Sequence, residues 1–249
     1  MKLHVIATGS SGNCYVLEGR SSVLVLEAGV APEKVFQRVR VSTRKIAGVL
    51  VTHEHGDHAG FVRRWLALGF RAYMSAGTRA ALRLEDSSLA EPVKAWESVG
   101  IGEFSVRPFP AVHDAAEPVS FIIEHDESGR ILFATDTGRI DYTFRTGQIR
   151  HLLVEANYSE SLIEDNIGRG NLFPALAKRI RGNHLSLERC RDYVREHNTP
   201  DLETVVLIHL SGDNADPGIF RAEIAKTAPY ANVCVADKGL LVPVDKLSI

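Results

Sequence analysis

The stretch Val49-Leu50-Val51-Thr52-His53-Glu54-His55-Gly56-Asp57-His58 is an apolar, β-branched run that breaks into three histidines and an aspartate. The chain has ten histidines in all, so this grouping is far denser than chance would place them. Imidazole and carboxylate are the ligands of a borderline divalent ion such as zinc. Where a chain leaves a strand, residues two apart project to the same side, so His53 and His55 can face one ion. A tight turn at Gly56 can swing Asp57 and His58 toward a second ion beside it. Crowding so many imidazoles into a loop without a ligand would be costly. The stretch therefore reads as a strand that delivers a metal-binding loop, with two ions a more natural count than one.

One loop cannot complete two coordination spheres. Three further places end an apolar run in a ligand residue: Val112-His113-Asp114, Ala134-Thr135-Asp136-Thr137-Gly138 and Ile208-His209-Leu210-Ser211. A sheet would deliver such strand ends to a common edge. Taken alone, a His or Asp at a strand end often only caps a turn. Taken together with the first loop, His113, Asp136 and His209 are the expected remaining ligands.

The same apolar runs outline the fold. Strands are read at 23–26, 49–52, 131–134, 152–154, 205–208 and 233–236, from short β-branched or Leu-rich segments. Helical spacing is read at 61–68, 78–84, 172–180, 187–194 and 219–225. Ser186 suits the N-cap of the helix at Leu187. The run Asp126-Glu127-Ser128-Gly129-Arg130 reads as a hairpin turn. Strands gathered near both ends, with helices between and after them, suit a layered α/β protein. With no Pro/Gly/Ser-rich linker, residues 1–249 are read as a single domain.

The motif Thr52–His58 resembles the HxHxDH signature of the metallo-β-lactamase superfamily, and His113, Asp136 and His209 fall where that superfamily has its later ligands. Within it, the chain is similar to the YycJ/WalJ group of single-domain, nuclease-type members. The residues behind that narrower likeness are Gly9-Ser10-Ser11-Gly12-Asn13, Glu155-Ala156-Asn157, Gly182-Asn183-His184-Leu185-Ser186 and His209-Leu210-Ser211-Gly212-Asp213-Asn214. The resemblance implies a four-layer αββα sandwich with the site at one edge. It implies two divalent ions per chain, the first held by His53, His55 and His113, the second by Asp57, His58 and His209, with Asp136 bridging them. Mixed nitrogen and oxygen ligands admit zinc, manganese or iron. Asp57 and His184 are the residues it places in catalysis. His184 is not expected to bind metal but to contact a phosphate oxygen or assist the leaving group. Glu155 is expected to orient a metal-binding histidine, Ser11 and Asn13 to lie near substrate, and Ser211, Asp213 and Asn214 to support His209.

Two departures from the family pattern stand out. Glu27, in Leu26-Glu27-Ala28-Gly29, occupies the place of an aspartate that supports the metal loop from behind. Tyr158 stands where the family often has a histidine after Asn157.

Charge narrows the function classes. Lys and Arg total 29 against 31 Asp and Glu, which excludes binding nucleic acid through bulk charge. Local segregation remains: residues 166–195 carry seven basic residues and two acidic ones, and Lys34, Arg38, Arg40, Arg44 and Lys45 form a second cationic segment. Both are candidate phosphate-binding surfaces. Cys14, Cys190 and Cys234 are too few and too far apart for a disulfide framework. Neither a membrane span nor a signal peptide is read, and a cytoplasmic location is expected. The leading expectation is a dinuclear-metal phosphodiesterase, a nuclease cleaving DNA or RNA. A small-molecule hydrolase of a cyclic phosphodiester, thioester or lactam is the first alternative. A metal-binding interaction module without catalysis is the second.

Overall fold

In the computed structural model, residues 1–144 and 149–246 are described. They form two compact units. The first holds residues 1–110, 115–129 and the segment from Asp237 onward; the second holds 111–114 and 130–236.

The first unit contains β1 (Lys2–Ala7), β2 (Cys14–Glu18), β3 (Val23–Leu26), α1 (Pro32–Val39), β4 (Ile46–Leu50), α2 (Gly56–Ala59), α3 (Val62–Ala67), β5 (Ala72–Ser75), α4 (Ala76–Ala81), β6 (Ala90–Val93), β7 (Val99–Ile101), β8 (Phe104–Pro110), β9 (Val119–His125) and β14 (Leu241–Pro243). Its main sheet runs β14-β1-β2-β3-β4-β5-β6. The pairs from β14 to β3 are antiparallel and those from β3 to β6 parallel. All four residues of β3 are buried, as its unbroken Val-Leu-Val-Leu requires, because this central strand, where the pairing changes from antiparallel to parallel, is covered on both faces. Strands β7, β8 and β9 form an antiparallel meander. The turn expected near Asp126 closes with the N–H of Ser128 donating to the carbonyl of His125 (3.2 Å).

The second unit contains β10 (Gly129–Ala134, in this unit from Arg130), β11 (His151–Glu155), α5 (Glu160–Gly168), α6 (Pro174–Asn183), α7 (Leu187–His197), β12 (Thr204–Ile208), α8 (Pro217–Thr227) and β13 (Asn232–Val235). Its strands pair in parallel in the order β10-β11-β12-β13. Every residue of β11 and β12 is buried. Three of these four helices start at a side-chain cap, and α6 starts instead with Pro174 in its first turn. Ser159, Ser186 and Asp216 accept from the backbone N–H groups of Leu162, Arg189 and Ile219. The cap read at Ser186 is thus in place.

The predicted strands and helices are all present, with ends displaced by a few residues. β4 stops at Leu50, so the histidine loop begins earlier than its apolar run suggests. Strands are also more evenly spread than expected, since β5 to β8 fill the middle of the chain. β6 and β7 were hard to read because they are short edge strands, and β6 carries Pro92, which an edge tolerates. Among the described residues, no helix is long and apolar enough to cross a membrane.

Candidate metal centre

In the first unit, the histidine loop is one helical turn hung between two backbone clamps. The N–H groups of His58 and Ala59 donate to the carbonyl of His55, which winds α2 and turns Asp57 and His58 away from the strand direction. The ring of His53 lies 4.7 Å from that of His55 and 4.3 Å from that of His58. His53 and His58 are buried, while His55 and Asp57 are half-buried. The hydroxyl of Thr52 is 2.9 Å from Nδ1 of His53.

Two residues from neighbouring strands hold this loop. Glu27 is fully buried. Its Oε2 accepts from the N–H of Thr52 (3.3 Å) and its Oε1 lies 3.5 Å from Nδ1 of His58. A glutamate therefore reaches the place assigned to the usual aspartate, but at the long end of contact distance. It does so from a left-handed backbone (φ 69°), which a residue with a long side chain adopts at a cost. Glu27→Asp would ease that backbone yet withdraw both oxygens. Metal affinity should fall by about tenfold, the lower end for residues that orient a ligand, with no loss of melting temperature. Unchanged affinity in metal titration would show that the extra methylene is idle.

Asn13 is the second support. Its Nδ2 lies 3.1 Å from Nε2 of His58 and 3.4 Å from Oδ2 of Asp57, and its own N–H donates to the carbonyl of Asp57 (2.7 Å). Asn13 is fully buried, so it serves the loop and not an open face. Ser11 is exposed. The approach of these segments demands glycine at position 29. A Cβ there would sit 1.8 Å from the carbonyl oxygen of Asp57 and 2.5 Å from the nitrogen of Asn13, all backbone atoms that cannot step aside. Gly29→Ala should cost about 3 kcal/mol or more, the upper range for overpacking. Calorimetry would test it, and a variant melting within 2 °C of wild type, against the ~6 °C or more that such a loss implies for a chain of this size, would refute the clamp.

In the second unit, Glu155 is the organising group. Its Oε1 lies 2.8 Å from Nδ1 of His184 and 3.2 Å from Nδ1 of His209. Its Oε2 accepts from the N–H groups of Thr137 and Leu185 (3.1 Å each). An ionised carboxylate has no proton to give, so Nδ1 of both rings carries the hydrogen and Nε2 is the outward nitrogen. His113 is fixed the same way, since its Nδ1 faces the carbonyl oxygen of Asn183 at 2.9 Å. Asp136 is buried, with Oδ1 3.3 Å from Nδ1 of His209 and Oδ2 3.6 Å from Nε2 of His113. Ligand atoms of Asp136, Glu155, His184 and His209 all lie within 4.8 Å of one another. Glu155 and the Nδ1 atoms are engaged with one another, so Asp136 and Nε2 of His209 are the carboxylate and imidazole here that, in a desolvated place, fit a divalent cation.

The electrostatics follow from this packing. Burial alone would raise the Glu155 carboxyl, but the His184 imidazole and the hydrogen bonds from His184 and His209 hold it below its ordinary value. Burial would likewise lower His184, yet Glu155 outweighs it and raises that imidazole. His113 goes the other way, lowered chiefly by burial. A neutral His113 suits metal ligation, and a protonated His184 suits proton donation.

The strand ends share a device that sequence reasoning missed. Glu27 after β3, Asp136 after β10 and His209 after β12 all have left-handed backbones (φ 69°, 47° and 54°). They account for three of the six non-glycine residues in that region among those described. Each costs on the order of 1–3 kcal/mol, and such strain gathers at functional sites. Asn157 was also given no role of its own. It donates from Nδ2 to the carbonyl of His209 (2.9 Å) and so holds that turn. Ser211, Asp213 and Asn214 tie this loop to Asn157 and to Asn166 of α5. Tyr158 is a core residue packed with Ile163, Leu172 and Ala177. Burial, with Glu160 next in weight, pushes its hydroxyl up to about 12, so it cannot replace a titrating histidine.

Comparison with known proteins matches the chain to the model of the "Beta-lactamase superfamily domain" over residues 25–210. The chain belongs to that family. Metallo-β-lactamase-fold relatives agree with the match. The exodeoxyribonuclease YycJ of Bacillus anthracis is 28% identical, over 91% of this chain and 89% of that protein. The exodeoxyribonuclease WalJ of Streptococcus pneumoniae serotype 2 is 26% identical, over 86% of this chain and 82% of that protein. The crystal structure of the metallo-β-lactamase fold protein YhfI from Bacillus subtilis superimposes with a TM-score of 0.74 at 16% identity, covering 97% and 98% of the two chains. The αββα sandwich expected from the sequence is therefore the fold, and the chain is a metal-dependent hydrolase of ester bonds.

Proposed function

We propose that this metallo-β-lactamase-fold enzyme is a phosphodiesterase that cleaves DNA or RNA. In this reading His53, His55 and His113 hold one divalent ion, Asp57, His58 and His209 a second, and Asp136 bridges them, with zinc or manganese the first candidates and iron admitted. The observation that carries it is the Glu155–His184 pair. A buried carboxylate holds an imidazole by Nδ1 and raises its proton affinity, which suits it to carry a proton on Nε2 beside Asp136 and His209. When the P–O bond of a phosphodiester breaks, the leaving oxygen departs as an alkoxide, and a positioned imidazolium can protonate it.

When bound, divalent ions would supply a water of lowered proton affinity and polarise the oxygen under attack. The chain's own part is positional. Glu27 and Asn13 hold the histidine loop, Glu155 fixes the tautomers of His184 and His209, and His184 delivers a proton from Nε2 to the departing oxygen. The relatives named exodeoxyribonuclease support a nucleic acid as substrate. We also read residues 1–249 as one functional domain, because the family model runs through residues of both units. A cytoplasmic site of action fits the three free cysteines.

One observation favours the smaller-substrate alternative. In the cationic segment 166–195, Arg181 is paired with Glu160 and Glu164, Arg179 with Asp114 and Arg169 with Asp165, all acids outside the segment. Much of the charge segregation seen in the sequence is neutralised inside the fold. End-labelled single- and double-stranded oligonucleotides with Mn²⁺ or Zn²⁺, run beside bis-p-nitrophenyl phosphate and a thioester panel, separate the readings. Oligonucleotide cleavage that falls by about 10²–10⁴ in His184→Ala, the range for a general acid, is the expected result. Thioester turnover indifferent to His184, with no cut oligonucleotide under any metal, would overturn the proposal.

A further inference from the structure

The second unit contains a cavity of about 290 Å³. Its walls include Arg139, Ile140, Leu185, Arg189, Tyr193 and Glu196. Chain connectivity ties it to the cluster around Glu155. Leu185 directly follows His184, and Arg139 and Ile140 follow the Asp136 turn by three and four residues. The two tethers are braced. The carbonyl of Gly138 accepts from Arg189 of α7, and a Cβ on Gly138 would lie 2.3 Å from the carbonyl oxygen of Gly182. The floor is buried Leu185 and Tyr193, and the rim is exposed Arg139, Arg189, Asp192 and Glu196, with Arg139 bonded to Asp141 through Nε and its terminal guanidinium nitrogens left to face a ligand.

Tyr193 is the informative wall. It is 6% exposed, and its hydroxyl has no hydrogen-bond partner among the described residues. A buried hydroxyl left so is costly, and such groups are as a rule satisfied by a partner or a ligand. Aromatic and aliphatic floor, a polar hydroxyl within it and guanidinium groups above match the parts of a nucleotide: a flat base, a sugar hydroxyl and a phosphate. The volume is at the low end for ligand sites, which suits one nucleotide unit and not a longer segment.

We propose that this cavity is a nucleotide subsite, which seats the single nucleotide next to the bond being cleaved, with its phosphate toward Arg139 and Arg189 and its base against Leu185 and Tyr193. The Tyr193 hydroxyl bonds the seated sugar or base, and Glu196 accepts from a further hydroxyl or amino group. This subsite rests on the phosphodiesterase reading for its role but not for its binding, which is measured separately.

The test is calorimetric titration of the full-length, metal-loaded protein with dAMP, deoxyadenosine and inorganic phosphate, alongside oligonucleotide kinetics. dAMP should bind more tightly than either fragment. Tyr193→Phe, which removes one oxygen and keeps the ring, should weaken dAMP about fivefold, the size of one neutral hydrogen bond. Arg139→Gln should weaken dAMP and phosphate but not deoxyadenosine. In oligonucleotide cleavage, the loss in Tyr193→Phe should fall on KM. Binding of dAMP no tighter than phosphate, or equal in wild type and both variants, overturns the subsite. Tyr193-dependent dAMP binding in a protein that cleaves no oligonucleotide would uphold the subsite and sink the nuclease reading. Cleavage with an unchanged KM in both variants would do the reverse.

Discussion

Asp136→Asn should strip the protein of most of its bound metal and lower hydrolysis by about 10³-fold or more, on the order of 4 kcal/mol in the barrier. Asparagine is the right probe because it keeps the size of aspartate and tolerates the left-handed backbone found here (φ 47°). Alanine would add a backbone penalty to the electrostatic one. What asparagine removes is the negative charge that Asp136 presents to His113 and His209. If that carboxylate bridges two ions, both lose a ligand at once, and metal content should fall well below the loss expected for a ligand of one ion. Plasma mass spectrometry of the purified variant reads this directly. Two equivalents of metal retained in Asp136→Asn would end the bridging role.

Glu155→Gln is the second large effect, and it falls on folding as well as on turnover. The four groups that face this carboxylate are the Nδ1 atoms of His184 and His209 and the N–H groups of Thr137 and Leu185. All four are donors to an ionised Glu155. A glutamine offers one acceptor oxygen and one NH₂: with the NH₂ toward Thr137 and Leu185 it sets donor against donor, and with the NH₂ toward the rings it drives the imidazoles out of their Nδ1–H form. The site is fully buried, and no water can relieve it. Breaking a buried charged network by changing one member costs roughly 3–5 kcal/mol. For a chain of this size that corresponds to a fall in Tm of ~6–20 °C. Both rings also lose the partner that fixes Nδ1–H, so activity should drop by about 100-fold even at temperatures where the variant is folded. A Tm within 2 °C of wild type, with full activity, would mean that Glu155 does not organise this unit.

These variants probe different layers of legibility. The histidine loop was readable because metal ligation needs particular atoms at short spacing, and His53, His55, Asp57 and His58 lie within one turn of chain. The strands β3, β11 and β12 were readable because strands covered on both faces must be continuously apolar. Glu155 was suspected, yet its four partners come from β10's exit, α6's end and β12's exit. No local pattern records that convergence. The left-handed backbone of Glu27 carries no sequence mark, and although aspartate and histidine are enriched in that region, most of them lie elsewhere, so Asp136 and His209 were not marked out either. Net local charge misled in part. Arg179 and Arg181 are far in sequence from Asp114 and Glu160, so the segment looked barer than it is.

What the amino-acid order decided alone was the kind of chemistry and the layered α/β class, because both depend on residue type at short range: imidazoles beside a carboxylate, and apolar runs of strand length. What only the folded chain decided was which atom of each ring faces outward, which carboxylate holds it there, and that Tyr193 lines a cavity together with the residue that follows His184. Those properties arise from hydrogen-bond partners dozens of residues apart, and parallel strands bring such partners together without leaving any periodic trace in the sequence.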